Sequence, residues 1–208
     1  MNPGAGFFVV LEGPEGAGKT TLAAALAERF RSAGEEPIVV REPGGTPAAE
    51  ALRAALLDHD RPWSPGTELL YMVTARADLV SRVIRPALEA GRVVLSDRFD
   101  LSTRAYQGAG RGVPADRLEW VNGVATGGLV PDLTLILDLP AGLGQARQVA
   151  SGKVQDRLDR EDPGFHERVT AFYRAAEGPG IVHLDAQQSP GELAALAWRA
   201  IETARRVR

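Results

Sequence analysis

The chain has 208 residues, of which 44% are hydrophobic and 25% are charged, and its formal net charge is −3. This composition is ordinary for a globular protein and argues against a nucleic acid polymer as partner, since duplex binders are usually basic. The absence of cysteine excludes disulfides and thiolate metal sites and favours a cytoplasmic location, and no apolar run has the length of a membrane span.

Short apolar segments alternate with helical patterns along the chain. Strands are predicted at Phe7–Glu12, 37–41, 92–97, Leu133–Asp138 and 181–184. Helices are predicted at 20–33, 47–57, 66–90, 102–107, 114–124, Ala141–Ala150, 163–176 and 190–205. The alternation predicts a single α/β domain over residues 1–208, with a five-stranded parallel sheet covered by helices on both faces.

The loop after the first strand carries the strongest functional motif. Its sequence, GPEGAGKT, fits G-x-x-x-x-G-K-[ST] and lies between a predicted strand and a predicted helix. Backbone N–H groups of such a loop point at phosphate oxygens, and the helix N-terminus adds its positive dipole end. We expect Lys19 to reach the β- and γ-phosphates of ATP and Thr20 to bind Mg²⁺. The predicted ATP site comprises Gly13, Pro14, Glu15, Gly16, Ala17, Gly18, Lys19, Thr20 and Thr21.

Residues after the third strand indicate a second phosphate site. Asp97 ends that strand, where a metal-binding carboxylate is expected, and Arg98 beside it offers a bidentate fork for a phosphate. The only lysines are Lys19 and Lys153, and neither stands in an N-K-x-D guanine motif. Two phosphate sites without guanine recognition favour a nucleotide kinase over a GTPase switch.

Four motifs together resemble one family. They are F-x-x-x-E-G-x-E-G-A-G-K-T-T, R-E-P-G-G-T, D-R-F-x-x-S-T-x-A-Y-Q-G and P-D-L-T-L-I-L-D, and their order and spacing are those of bacterial thymidylate kinases. The resemblance runs from Phe8 to about Asp162. It implies a three-layer P-loop kinase fold, a homodimer, and Mg²⁺-assisted transfer of a phosphoryl group from ATP to dTMP.

The resemblance also implies roles for individual residues. Glu15 would hold the 3′-hydroxyl of the acceptor, Arg98 would bind its phosphate, and Tyr106 would lie against the deoxyribose. Asp97 would act through Mg²⁺ or position the acceptor phosphate. Met72 stands where the family usually has a Phe that stacks on thymine. The implied dTMP site comprises Glu15, Met72, Arg76, Arg98, Thr103, Tyr106 and Gln107, with Arg76, Thr103 and Gln107 near the base.

Residues 141–162 resemble a closing lid, and their second part, 151–162, is polar and charged. The phosphate-binding loop, residues 13–20, is called the P-loop below. Some family members carry an Arg in it directly after the acidic residue, which is Glu15 here, but this chain has Gly16 at that position. We therefore expect a lid cation to meet the transferring phosphate, with Arg147 as first candidate, Arg157 as second, and Lys153 and Arg160 as further possibilities. The predicted catalytic set is Lys19, Asp97, Arg98, Arg147 and Arg157, and the predicted metal ligands are Thr20 and Asp97.

Two other functions fit part of the pattern. One is a kinase for another nucleoside monophosphate or for a deoxynucleoside, because Met72 makes the base preference less certain than the reaction type. The other is a P-loop regulatory switch that binds a nucleotide and a protein partner. The missing guanine motif argues against the switch, and the D-R-F and A-Y-Q-G motifs favour the kinases.

Overall fold

A five-stranded parallel sheet forms the centre of the computed structural model, which describes residues 6–58, 60–150, 152 and 154–207. The strands are β1 (Phe7–Glu12), β2 (Ile38–Arg41), β3 (Val93–Asp97), β4 (Leu133–Asp138) and β5 (Ile181–Asp185). Their order across the sheet is β2-β3-β1-β4-β5, and every neighbouring pair is parallel. The predicted sheet is confirmed.

Helices connect the strands. They are α1 (Lys19–Ser32), α2 (Pro47–Leu57), α3 (Pro65–Leu79), α4 (Arg85–Glu89), α5 (Asp100–Thr103), α6 (Ala115–Thr126), α7 (Ala141–Ala150), α8 (Pro163–Ala175) and α9 (Pro190–Val207). The predicted start of α2 is confirmed, since Thr46 Oγ1 accepts a hydrogen bond from the Ala49 N–H at 3.0 Å and Pro47 occupies the first turn.

Two helices differ from their predicted form. The segment predicted as one helix over 66–90 is divided by a π-helical stretch, Val80–Ile84, that ends just before Pro86. Proline has no N–H to bond the preceding turn, so the regular ladder cannot run through this point. The helix predicted at 102–107 starts earlier, at Asp100, and continues as a second π-helical stretch, Arg104–Gly110.

The core lies on both faces of the sheet because alternate strand residues point to opposite sides. Val9 and Leu11 pack on one face with Phe30 of α1 and with α9. Phe8 and Val10 pack on the other face with the π-helical stretch after α3. Helices on both faces give the predicted three-layer α/β architecture. The carboxyl ends of the parallel strands therefore share one edge, which carries the site.

Candidate active site

A cavity of about 760 Å³ opens at this edge of the sheet. Its wall includes the P-loop, the start of α1, the ends of β2 and β3, and parts of α2, α3 and α7. The volume is that of a small-molecule site and not of a macromolecular groove. Of the predicted ATP-binding residues, the lining ones are Glu15, Gly16, Ala17, Gly18, Lys19, Thr20 and Thr21.

The P-loop curls around the ammonium group of Lys19. Gly13, Gly16 and Gly18 have φ values of 136°, 72° and 94°, which glycine adopts without a Cβ penalty. Lys19 Nζ donates to the carbonyl oxygens of Gly13 at 2.9 Å and Pro14 at 2.8 Å. Burial, with repulsion from Arg98, lowers the pKa of Lys19 to about 8. An anion in the loop would offset both effects.

The two predicted metal ligands lie side by side. Thr20 Oγ1 donates to Asp97 Oδ2 at 2.7 Å, although 77 residues separate them. Elsewhere in the described part of the chain, no group of three or more His, Cys, Asp or Glu side chains could hold a metal. Mg²⁺ prefers oxygen ligands and usually keeps several waters and substrate phosphates, so one hydroxyl and one carboxylate fit it.

Arg98 has an unusual backbone that aims its side chain at the P-loop. Its φ is 77°, a left-handed conformation that costs a non-glycine residue about 1–3 kcal/mol. The Arg98 N–H donates to Leu11 O at 2.9 Å, and Ser96 Oγ donates to Arg98 O at 2.7 Å, which together hold this conformation. Its guanidinium donates to Gly13 O at 3.3 Å and to Glu15 Oε1 at 2.6 Å.

Tyr106 completes this arrangement. Its ring lies under the Arg98 guanidinium, 4.9 Å from the guanidinium carbon. Its hydroxyl donates to Glu15 Oε1 at 3.0 Å and accepts from Arg98 Nη2 at 3.0 Å. Burial opposes the charge of Arg98, but Glu15, Tyr106, Tyr173 and Asp97 together outweigh it and raise the pKa of Arg98. Three predicted acceptor-site residues therefore meet at the cavity wall beside the P-loop.

A buried carboxylate to which sequence analysis assigned no role supports the Arg98 turn. Glu12 ends β1 with no exposed surface and accepts from the N–H groups of Phe99 at 2.9 Å and Ser102 at 3.1 Å. Its second oxygen accepts from Ser102 Oγ at 2.6 Å and from Tyr173 OH at 2.8 Å. Burial raises the pKa of Glu12, although Arg98 acts in the opposite direction. In the sequence, the signal for a special role of Glu12 was that a charged residue ends an otherwise apolar strand.

Arg76 lies behind the cavity wall. Only 1% of its surface is exposed, and its guanidinium is paired with Glu42 Oε2 at 2.6 Å. It also donates to Thr103 Oγ1 at 2.8 Å, Asn122 Oδ1 at 2.6 Å and the Phe99 carbonyl oxygen at 2.8 Å. Arg76, Thr103 and Gln107 are absent from the described cavity wall, whereas Met72 lines it. Their predicted base contact stays a prediction, and for Arg76 it requires the exchange of one of these bonds.

Arg147 and Arg157, the two lid candidates, lie in different places. Arg147 of α7 lines the cavity and donates to Ala186 O at 3.0 Å. Arg157 donates to Glu68 Oε2 at 2.6 Å and Leu56 O at 3.1 Å and is absent from the described wall. Of these two, Arg147 alone lines the described part of the cavity, and the catalytic role of either stays a prediction. Lys153 lies outside the described residues, so its position tests nothing.

Close packing of α7 on the P-loop explains glycine at position 16. A Cβ on Gly16 would collide with the carbonyl oxygen of Gly144, and a Cβ on Gly144 would collide with that of Glu15. Since Gly16 also has a φ of 72°, an arginine cannot stand here without moving α7. Arg147, one helical turn after Gly144, reaches the cavity from the same helix.

A further cation, Arg53 of α2, also faces the cavity. No motif assigned it a role, yet it lines the wall and donates to Pro43 O at 2.7 Å, after the cis Glu42–Pro43 peptide. Burial lowers the pKa of Arg53, and Arg41 nearby acts in the same direction. An anion bound in this part of the cavity would relieve both.

Comparison with known proteins adds independent findings. A family model described as thymidylate kinase matches residues 11–196. A thymidylate kinase from Synechococcus is 50% identical over 198 residues, which cover 94% of each chain. Thymidylate kinases from Ectopseudomonas mendocina and Thermomicrobium roseum are 48% and 51% identical, over 91% and 82% of this chain and 92% and 80% of their own lengths. Among the described residues, no helix is both long and apolar enough to cross a membrane.

Proposed function

The chain belongs to the thymidylate kinase family and is a phosphotransferase that phosphorylates dTMP with ATP; we propose that the two phosphates meet between Lys19 and Arg98. The family match and the three relatives do not favour the alternatives of another acceptor or a regulatory switch. What remains to be assigned is how the individual residues of this chain perform the transfer.

The observation that carries this proposal is a carbonyl oxygen shared by two cations. Lys19 Nζ lies 2.9 Å and Arg98 Nη1 lies 3.3 Å from Gly13 O. A donor phosphate on the P-loop and an acceptor phosphate on Arg98 would therefore be neighbours. Because the acceptor phosphate is already an anion, the site needs to position and neutralise charge more than to move a proton.

Thr20 and Asp97 hold Mg²⁺ in this proposal. Their oxygens are 2.7 Å apart at the edge of the cavity, next to Lys19. When bound, Mg²⁺ neutralises charge on the β- and γ-phosphates of ATP. Thr20 supplies a neutral ligand from the first turn of α1, and Asp97 supplies the carboxylate from the end of β3.

Arg98, Glu15 and Tyr106 bind the acceptor. Glu15 Oε1 now accepts from both Arg98 and Tyr106, at 2.6 and 3.0 Å. A dTMP phosphate on Arg98 would take over part of this interaction and free Glu15 to hold the 3′-hydroxyl. Tyr106, fixed by its buried hydroxyl, would limit the space at the 2′ position of the sugar.

Met72 and Gln107 bind the base in this proposal. Met72 lines the cavity and offers a polarisable thioether to a ring face. Gln107 Oε1 is buried and has no hydrogen-bond partner among the described residues, which leaves an acceptor for a base N–H. Arg76 and Thr103, bonded to each other at 2.8 Å, support the wall on this side.

Arg147 meets the charge of the transferring phosphoryl group. It lines the cavity from α7, and the contact between Gly144 and Gly16 brings this helix onto the P-loop. Residues 141–162 act as the lid of a single kinase domain. Among the described residues, Arg147 makes one hydrogen bond, to the Ala186 carbonyl oxygen, which it can exchange for a phosphate oxygen.

Two copies of the chain form a homodimer through α3 and α6. These helices pack on each other through Leu69 and Leu118 and leave Leu70, Trp120 and Val124 exposed by 58%, 70% and 66%. An apolar patch of this kind suits a partner surface. A Trp120→Glu variant should shift the molar mass measured by light scattering from dimer to monomer.

Kinase chemistry on ATP also agrees with the cytoplasmic location expected from the cysteine-free sequence.

A panel of acceptors tests the assignment. Purified protein is incubated with ATP and Mg²⁺ and with dTMP, dUMP, UMP, dCMP, dGMP or AMP in turn, and ADP release is followed. We expect rapid turnover with dTMP. Faster turnover with AMP or UMP would reassign the acceptor, and hydrolysis that no acceptor accelerates would contradict the kinase assignment.

A further inference from the structure

Only one of the two polar atoms of the Gln107 side-chain amide has a hydrogen-bond partner among the described residues. Its Nε2 donates to Glu68 Oε1 at 2.8 Å, whereas its Oε1 is buried without a partner among the described residues. Neither residue has any exposed surface. Because an ionised carboxylate can only accept hydrogen bonds, the amide must turn its NH₂ group toward Glu68 and its oxygen away.

Two arginines keep Glu68 ionised. Arg111 donates to it through Nε at 3.2 Å and Nη2 at 2.9 Å, and Arg157 donates through Nη2 at 2.6 Å. Burial alone would raise the pKa of Glu68, but the hydrogen bonds from Arg111, Gln107 and Arg157 outweigh it and hold the pKa below its ordinary value. Glu68 is therefore a permanent acceptor, and the orientation of the Gln107 amide is fixed.

This amide adjoins the part of the cavity wall where the base is expected. Met72 lies one turn of α3 after Glu68, Tyr106 directly precedes Gln107, and both line the cavity. Gln107 has no exposed surface and is absent from the described wall, so a pyrimidine between Met72 and Tyr106 reaches its unpartnered oxygen only when the wall moves aside.

We propose that Glu68 fixes the Gln107 amide so that its oxygen accepts a hydrogen bond from N3–H of thymine, and that this makes Glu68 a determinant of the choice between dTMP and dCMP. The inference rests on the proposed function, because it takes a pyrimidine nucleotide as the acceptor. Glu68 acts through Gln107 and is thus a positioning residue.

The chemistry of the two bases gives the discrimination its sign. Thymine and uracil carry a hydrogen on N3, whereas N3 of cytosine is a lone-pair acceptor. Cytosine would therefore place one acceptor against another in a buried site and leave both unpaired, which is strongly unfavourable. The Gln107 oxygen should discriminate against dCMP but not between dTMP and dUMP.

Glu68→Gln reverses this orientation. The guanidinium groups of Arg111 and Arg157 only donate, so they draw the single amide oxygen of the new side chain toward themselves. Its NH₂ group then faces Gln107, which turns its own oxygen inward and presents NH₂ to the base. We expect the ratio of kcat/KM for dTMP to that for dCMP to fall by about tenfold or more, while the ratio for dTMP to dUMP stays constant. Where dCMP turnover is too slow, its inhibition constant against dTMP replaces it.

Glu161→Gln is the matched control. Glu161 binds the same Arg111, at 2.5 Å, but no hydrogen bond joins it to Gln107. The dTMP to dCMP ratio should be unchanged in this variant. An equal loss with dTMP, dUMP and dCMP in Glu68→Gln would show a merely structural role and overturn the inference, as would an unchanged ratio.

Gln107→Met tests the other end of the hydrogen bond if Glu68→Gln does not fold. Methionine has a side chain of similar length without the amide, so the ratio of kcat/KM for dTMP to that for dCMP should fall by about tenfold. An unchanged ratio overturns the inference. The wild-type assay distinguishes a failure of the proposed function from a failure of the role of Glu68. If the wild type does not phosphorylate dTMP, the proposed function fails, whereas an unaltered preference in the variants of an active enzyme defeats only the role of Glu68.

Discussion

The two ends of the cavity, for which we propose phosphate binding (the phosphate end) and base binding (the base end), are constructed differently. At the phosphate end, Lys19 binds carbonyl groups five and six residues away, and Arg98 is aimed by its own backbone φ of 77°. At the base end, the key contacts join Arg76 to Glu42 and Arg157 to Glu68, across 34 and 89 residues. The first region consists of two short stretches of chain, the P-loop and Asp97–Arg98, which the paired strands β1 and β3 bring together. The second consists of side chains from several separate segments.

This difference predicts different consequences of substitution. Changes at the phosphate end should alter rate or acceptor affinity alike for every base. Changes at the base end should alter the choice among bases, as the Glu68 experiment examines. Four measurements at the phosphate end can break or sharpen this contrast.

Lys19→Ala should give the largest effect. The substitution removes the ammonium group that we propose meets the β- and γ-phosphates, and the loss of one such charge commonly costs about a hundredfold to a thousandfold in rate. We expect a fall of that size in kcat with both dTMP and dUMP, measured by ADP release, with little change in the melting temperature. A rate within about threefold of wild type would contradict the role of Lys19.

Arg98→Ala should weaken use of the acceptor by about a hundredfold in kcat/KM for dTMP, because it removes a buried bidentate cation. ATP affinity, measured by titration, should stay within about threefold. Arg104→Ala is the matched control, since Arg104 is nearly half exposed and its one ion pair among the described residues, to Asp100, is 3.7 Å long. Equal losses of ATP and dTMP affinity in Arg98→Ala would show that Arg98 does not distinguish the two phosphate sites.

The pH dependence should show the burial of Lys19. Because its pKa in the free enzyme is about 8, the ammonium loses its proton above that pH, and kcat/KM for ATP should then fall about tenfold per pH unit. Bound phosphates raise the pKa, so kcat should stay nearly constant over the same range. A kcat/KM for ATP that stays constant between pH 8 and pH 10 would contradict the lowered pKa of Lys19.

Tyr173→Phe should give the smallest effect. It removes only the hydroxyl that donates to Glu12 at 2.8 Å and lies 3.3 Å from Arg98. We expect KM for dTMP to rise about three- to tenfold with kcat almost unchanged. Tyr71→Phe makes the same chemical change in a ring that packs on Trp63, and it should leave KM unaltered. A similar KM in both variants would show that the hydrogen bond from Tyr173 to Glu12 does not help to position Arg98.

The sequence predicted which residues come together at the phosphate end because its signals are local, and their roles stay predictions. The P-loop is one continuous motif, and Asp97 and Arg98 are adjacent at the end of an apolar strand. The parallel sheet brings these two stretches to one edge, so the pairing of Thr20 with Asp97 followed from topology. All five strands were predicted for the same reason, since apolar runs between helical patterns mark buried parallel strands.

The base end could not be predicted at the same level. Nothing near Glu68 in the chain indicates that Arg111, Arg157 and Gln107 converge on it. The motifs indicated Arg76 as a base contact, but its four hydrogen-bonded partners come from distant segments and hold it behind the wall. The two π-helical stretches were missed because their hydrophobic pattern hardly differs from that of a regular helix over so few residues.

A crystal structure with an unreactive ATP analogue, Mg²⁺ and dTMP tests the central claim most directly. The account predicts Lys19 on the β- and γ-phosphates, both Nη atoms of Arg98 on the dTMP phosphate, and an in-line path between the two phosphates. A dTMP phosphate bound elsewhere, with Arg98 still donating to Glu15 and Gly13, would contradict it.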